Sequence, residues 1–100
     1  MAQVIWTASA LQDVQDLAAY IEIQNSVAAQ NFVTTLFNKT DRLELFPESG
    51  RKVPELTPMN YREVLVNPCR VIYKTSGNNV YIVHVLRQEQ QLRSYLFSDD

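Results

Sequence analysis

The sequence is short of the residues that interrupt or staple a chain. Two glycines and four prolines in 100 residues exclude a collagen-like, linker-like or low-complexity protein. A lone cysteine, Cys69, has no intramolecular partner, which excludes a disulfide scaffold and predicts a reducing compartment. No stretch approaches the roughly 18 apolar residues of a membrane span. The opening MAQVIWTASALQDVQ lacks the basic leader and apolar core of a secretory signal. These absences predict one domain over residues 1–100, working in the cytoplasm without a membrane partner. CxxC, HExxH, Walker-loop and GxGxxG patterns are missing too, so no metal site and no cofactor is expected.

Positive charge is missing from the first third. Residues 1–38 hold no Lys or Arg but carry Asp13, Asp16 and Glu22. Between residues 51 and 93 stand Arg51, Lys52, Arg62, Arg70, Lys74, Arg87 and Arg93, opposed only by Glu55, Glu63 and Glu89. A chain of net charge −2 thereby concentrates cations in its second half, which can build a positive face. The plainer reading is that solvated strands carry basic residues.

What is present is ordinary globular material with clear periods. Val4-Ile5-Trp6 predicts a short edge strand. Thr7 or Ser9 then supplies a helix cap, with Gln12 at capping-box spacing from Ser9. Leu11, Val14, Leu17, Ala18 and Ile21 form an apolar stripe, with Gln12, Asp13, Gln15, Asp16 and Ala19 on the wet side. Asn25-Ser26 breaks the pattern and offers a second cap. The next stripe runs through Ala29, Phe32, Val33, Leu36, Phe37, Thr40 and Leu43, and Phe46-Pro47 ends it. Two such helices with so short a link form an antiparallel hairpin, whose stripes need a sheet to cover them.

From Tyr61 the period becomes two. Tyr61–Val66 predicts a strand, Asn67-Pro68 a turn, Cys69–Lys74 a second strand, Ser76-Gly77-Asn78-Asn79 a hairpin turn and Val80–Leu86 a third strand. The result is an α+β fold: a short N-terminal strand, then an antiparallel helical hairpin on one face of a three- to four-stranded antiparallel sheet. Alternation places Cys69, Val71 and Tyr73 opposite Arg70, Ile72 and Lys74. In the last strand it places Tyr81, Val83 and Val85 opposite Val80, Ile82, His84 and Leu86. One sheet face meets the helices. The other, mixed apolar and basic, is expected to lie partly open for a partner, unless Leu92–Phe97 folds back over it.

The order of these elements and several local motifs together resemble the ParE/RelE toxin superfamily across nearly the whole chain. Ala8-Ser9-Ala10-Leu11-Gln12-Asp13 is similar to the family's opening of the first helix. Leu43-Glu44-Leu45-Phe46-Pro47-Glu48-Ser49-Gly50-Arg51 resembles its L-x-x-x-P-x-x-G-R passage into the sheet, followed by Val53-Pro54-Glu55-Leu56 and Tyr61-Arg62-Glu63. Cys69-Arg70-Val71-Ile72-Tyr73-Lys74 is close to its Y-R-V-I-Y-R strand, and Asn79–Val85 to its last strand. The resemblance implies a type II toxin–antitoxin system with a role in growth arrest or in plasmid or prophage maintenance. The toxin would be bound by a small antitoxin that also carries a DNA-binding domain. Operator DNA would be reached only through that antitoxin, and oligomers would form within the complex.

The family divides by target: ParE-like members poison DNA gyrase, and RelE-like members cut mRNA in the ribosomal A site. RNA cleavage needs a 2′-hydroxyl activated, a phosphorane stabilised and a leaving oxygen protonated. The resemblance puts Arg70 at the family's sheet arginine and Arg51-Lys52 near its upstream basic position. After the last strand, however, Leu86-Arg87-Gln88-Glu89-Gln90-Gln91 replaces the family's basic segment, and Glu89 would repel phosphate. Were the chain an endonuclease, Arg70, Arg87 and Tyr95 would be its catalytic set. The poverty of that set favours a ParE-like gyrase inhibitor with no catalytic site of its own. Its target contacts would be Arg51, Lys52, Arg62, Arg70 and Arg87, and its antitoxin contacts Ile72, Lys74, Ile82, His84 and Leu86. A homologue of reduced toxicity acting as co-repressor is the third alternative. Plainer roles compete at each position: Arg70 pairing with Glu63 in exposed geometry, His84 structural, Cys69 buried and inert.

Overall fold

The computed structural model describes residues 1–56 and 59–90. In chain order these form β1 (Gln3–Trp6), α1 (Ala8–Gln24), α2 (Ser26–Asp41), a 3₁₀ turn at Arg42–Glu44, β2 (Arg51–Lys52), a 3₁₀ turn at Pro54–Leu56, β3 (Arg62–Val66), β4 (Cys69–Ser76) and β5 (Asn79–Arg87). The five strands make one sheet in the order β1-β5-β4-β3-β2. The meander β3-β4-β5 is antiparallel, as its turns predict. The sheet is wider than the expected three to four strands, and it is mixed. Gln3–Trp6 runs parallel beside Asn79–Ile82, and Arg51–Lys52 adds a two-residue edge against Arg62–Glu63.

Local chemistry sets the helix starts. Thr7 is the cap of α1: its Oγ1 accepts from Ala10 N–H at 3.2 Å and donates to the Ile82 carbonyl at 2.8 Å. One hydroxyl thus satisfies an orphan helix donor and ties the helix to β5. Asn25 Oδ1 caps α2 on Ala28 N–H at 3.0 Å. The inner stripe of α1 is Ala10, Val14, Leu17 and Ile21. Leu11, expected inside, is 41% exposed, and the smaller Ala10 takes the buried position because it lets the helix approach the sheet closely.

The main core lies between the helices and the sheet, where Leu36, Val71, Tyr73, Val80 and Ile82 are fully buried. Each such aliphatic side chain contributes about 1.5–3 kcal/mol relative to exposure. Ile72, between two residues of that core, points to the other face. There it is buried by Val53, Leu56 and Tyr61, with Met59, Val83 and Leu86 packed alongside. The face expected to be open is therefore partly covered by the chain's own connection from β2 to β3. Leu92–Phe97, the other candidate cover, lies outside the described residues.

A β-bulge alters the expected faces of β5. Ile72 pairs with His84 while Tyr73 pairs with Ile82, leaving Val83 as the extra residue. Up to Ile82 the alternation holds. Beyond the bulge its parity flips, so Val80, Ile82 and Val85 all join the helix-side core, and Val83 and Leu86 pack on the second cluster.

Candidate functional site

On the second face of the sheet, register brings four charged residues into one network. Arg51 of β2 stands opposite Glu63 of β3, and Arg70 of β4 stands two pairs further along, opposite Leu65. The Glu63 side chain has no exposed surface, and its two oxygens accept from different arginines: Oε2 from Arg51 Nε, Oε1 from Arg70 Nε at 2.6 Å. The Arg70 Nη1 and Nη2 atoms meet Glu55 Oε2 and Oε1 at 2.8 and 3.0 Å, a bidentate fork. Glu55 is delivered by the Pro54–Leu56 turn, anchored where Val53 and Leu56 bury themselves against Ile72.

Two guanidinium groups and two carboxylates leave the network with no net charge. Three of the five N–H donors of Arg70 are committed to carboxylates, and its side chain is only 8% exposed. The Arg70 hydrogen bonds hold the Glu55 carboxyl below its usual range, against the opposing effect of burial. The same partners hold Arg70 more firmly charged than a free arginine, Glu55 first and Glu63 after it. The exposed Arg70–Glu63 pair expected from the sequence is thus corrected. The pair forms, but the covering connection buries it and adds Glu55. A cleft of about 230 Å³ lined by Arg51, Glu55, Leu65, Arg70 and Gln88 opens above it.

The approach to this network depends on Gly50. Its N–H donates to Tyr73 Oη at 2.9 Å, and its carbonyl accepts from Arg62 Nη1 at 2.8 Å. A Cβ there would sit 2.6 Å from Tyr73 Oη and 2.7 Å from the Glu63 carbonyl oxygen. The glycine before Arg51 is required because two chain segments touch at it. Burial pushes the Tyr73 hydroxyl up from its usual range, so it stays a neutral partner. Across Arg51 and Leu65 from the first cleft lies another of about 340 Å³, lined by Lys39, Arg42, Ser49, Gly50, Arg51, Glu63, Val64 and Leu65.

The remaining expected site residues are spread out. Arg62 turns to Gly50, and Lys52 is exposed beside it on the edge strand. Arg87 pairs with Glu89 at 3.2 Å and lies 5.6 Å from the centre of the Tyr20 ring. Lys74 lies 5.9 Å from the Tyr61 ring centre. His84 Nδ1 is 3.2 Å from Asp13 Oδ2, and that same oxygen accepts from Val85 N–H at 3.0 Å. Ile82 leaves the expected surface set, because it pairs with Tyr73 on the helix-side face and lies wholly inside that core, and the bulge after it separates it from His84 and Leu86. Ile72 is also fully buried, while Leu86 packs at the margin of the second cluster. Burial raises the Cys69 thiol to about 11. Tyr95 lies outside the described residues. Sequence reasoning missed Glu55, Lys39 and Arg42. Only the opposite sign of Glu55 and Arg70 could have signalled the first of these.

Comparison with known proteins bears on the family and the fold. The family model for the ParE toxin of the type II toxin–antitoxin system parDE matches residues 4–92. The chain is 37% identical over 86 residues to the toxin RelE2 of Caulobacter vibrioides, covering 85% of this chain and 93% of that protein. It also shares its fold with a solved structure of the chromosomal ParDE system of P. aeruginosa. That match has a TM-score of 0.77 at 18% identity, over 89% of this chain and 98% of the other. The helical hairpin on one sheet face, the Gly50-Arg51 passage and the Arg70 strand all fall within the matched span, and the chain belongs to the ParE toxin family of type II toxin–antitoxin systems.

Proposed function

We propose that this toxin arrests growth by binding DNA gyrase, with no catalytic site of its own, and that a cognate antitoxin neutralises it in the cytoplasm. The observation that carries the reading is the state of Arg70. Stabilising a phosphorane needs a cation with charge to offer at the moment of reaction. Arg70 is buried and shared between Glu55 and Glu63, and Arg87 faces Glu89. Both arginines of the nuclease set are thus already matched with carboxylates. Contact with the target falls to Arg51, Lys52 and Arg87, which reach the surface, while Arg62 and Arg70 hold the backbone and carboxylates that present them. The antitoxin covers Lys74, His84 and Leu86 beside the β2–β3 connection, and brings the complex to operator DNA.

The test is a supercoiling and DNA-cleavage assay with purified gyrase, run beside a ribosome-programmed mRNA cleavage assay. Inhibited supercoiling with intact message supports the reading. Unaffected gyrase with cut message establishes the rival, a ribosome-dependent endonuclease, which the RelE name of the Caulobacter relative favours. Inertness in both assays, with operator binding retained alongside antitoxin, establishes the co-repressor.

A further inference from the structure

The cleft beside the neutral network is built differently from it. Its walls carry Lys39 from the last turn of α2, Arg42 from the following 3₁₀ turn and Arg51 from β2, against a single carboxylate, Glu63. Glu63 is fully buried and its charge is already shared between Arg51 and Arg70. Lys39 makes one long bond, 3.4 Å to the Leu65 carbonyl. Arg42 has no side-chain hydrogen bond or ion pair among the described residues, and both residues are exposed. Cationic donors therefore converge on a concave site whose own acid is spent.

The surroundings decide which anion fits. Asp41, Glu44 and Glu48 flank Arg42 in the sequence, so the segment that supplies the cleft's cations is itself rich in carboxylates, which suits a single carboxylate better than a run of phosphates. A peptide brings one carboxylate and no train of charges. Leu65, 42% exposed, forms the partition between the two clefts and offers an apolar rest beside the cations. At physiological salt, charges beyond about 8 Å are largely screened, so the cations of the cleft outweigh the acidic balance of the whole chain.

The geometry points to this cleft as the receptor for an Asp or Glu side chain of an acidic, amphipathic segment of the antitoxin, with an apolar side chain of that segment on Leu65. This rests on the toxin–antitoxin reading, and it adds Lys39 and Arg42 to the recognition surface.

The experiment is titration calorimetry of the toxin against the small protein encoded by the adjacent reading frame. Wild type is compared with Lys39→Glu/Arg42→Glu, and unchanged circular dichroism and thermal midpoint serve as the check on folding. The expected result is a loss of on the order of 100-fold in affinity, about ten-fold for each reversed charge, shrinking as salt rises. Changing one acidic residue of the partner to Lys should restore binding to the reversed variant. If charge reversal disturbs folding, Lys39→Gln/Arg42→Gln replaces it, with a loss of on the order of ten-fold. Affinity within about three-fold of wild type overturns the inference and leaves the toxin–antitoxin reading standing. A partner that fails to bind wild type removes that reading and the inference with it. Binding of a single-stranded RNA oligonucleotide that the same variant abolishes overturns the peptide assignment.

Discussion

Replacing Arg70 with methionine keeps an apolar stem of similar length in β4 and removes the charge that two carboxylates share. Glu55 is 42% exposed and can turn to water, so its loss costs about 1 kcal/mol or less. Glu63 cannot. Its side chain has no exposed surface, and its remaining partner, Arg51, is itself 61% exposed. The expected cost of leaving that buried carboxylate half-paired is about 3–5 kcal/mol, a large part of the stability of a domain this size. Urea unfolding followed through the single tryptophan, Trp6, packed at 5.0 Å on the Phe37 ring, would read the loss as a lower midpoint at unchanged slope. The double variant Arg70→Met/Glu63→Leu removes both buried charges and should return to within about 1–2 kcal/mol of wild type. Toxicity separates the roles: if Arg70 only supports the site, growth arrest fails in the single variant and returns in the double. A single variant within about 1 kcal/mol of wild type, or a double variant whose losses simply add, would refute the reasoning.

Three further outcomes follow from the same structure. Gly50→Ala should cost about 2–5 kcal/mol, from overlap with Tyr73 Oη and the Glu63 carbonyl. Gly77→Ala, at φ +60° with nothing near its Cβ, should cost only about 1 kcal/mol, and thermal melts of the two would show the contrast. Glu55, held below its ordinary 4.5 by Arg70, contributes stability that is fully present above pH 4.5 and is lost as pH falls through its lower folded value. Acid melts of Glu55→Gln should therefore fall less steeply than wild type below pH 4.5 and run parallel above it. Cys69 is buried with its thiol raised to about 11, so at pH 8 roughly one part in a thousand is thiolate. Iodoacetamide labelling should track unfolding, and rapid labelling of the native protein would contradict the burial.

The helices were readable because their apolar residues obey a 3.6 period, and Thr7 and Asn25 sit where caps belong. The exception in α1 is a matter of size: Leu11 attracts attention, yet Ala10 fits the closer approach. The meander was readable from its turns, but the faces of β5 were not. Val80, Ile82, Val83, Val85 and Leu86 are apolar on both sides, so alternation marked no single core face and the bulge at Val83 left no trace. The pairing of Arg70 with Glu63 follows from cross-strand neighbourhood. Its burial does not, because the cover comes from Val53, Leu56 and Tyr61 in a connection without regular period. Lys39 and Arg42 read as ordinary wet-side charges, and only the packing of α2 beside β3 turns them into the wall of a cleft.

The pairing of β1 with β5 has a consequence for how the chain is made. Thr7 reaches the Ile82 carbonyl across 75 positions, so β1 waits beside an empty slot until β5 has been synthesised. A ribosome that halts midway releases helices with nothing beneath them, and a truncated copy lacks the rungs on which Arg51 and Arg70 meet. The surface comes together only after Asn79–Arg87 has been added, so an antitoxin that recognises it meets chains in which both partners of this pairing are present.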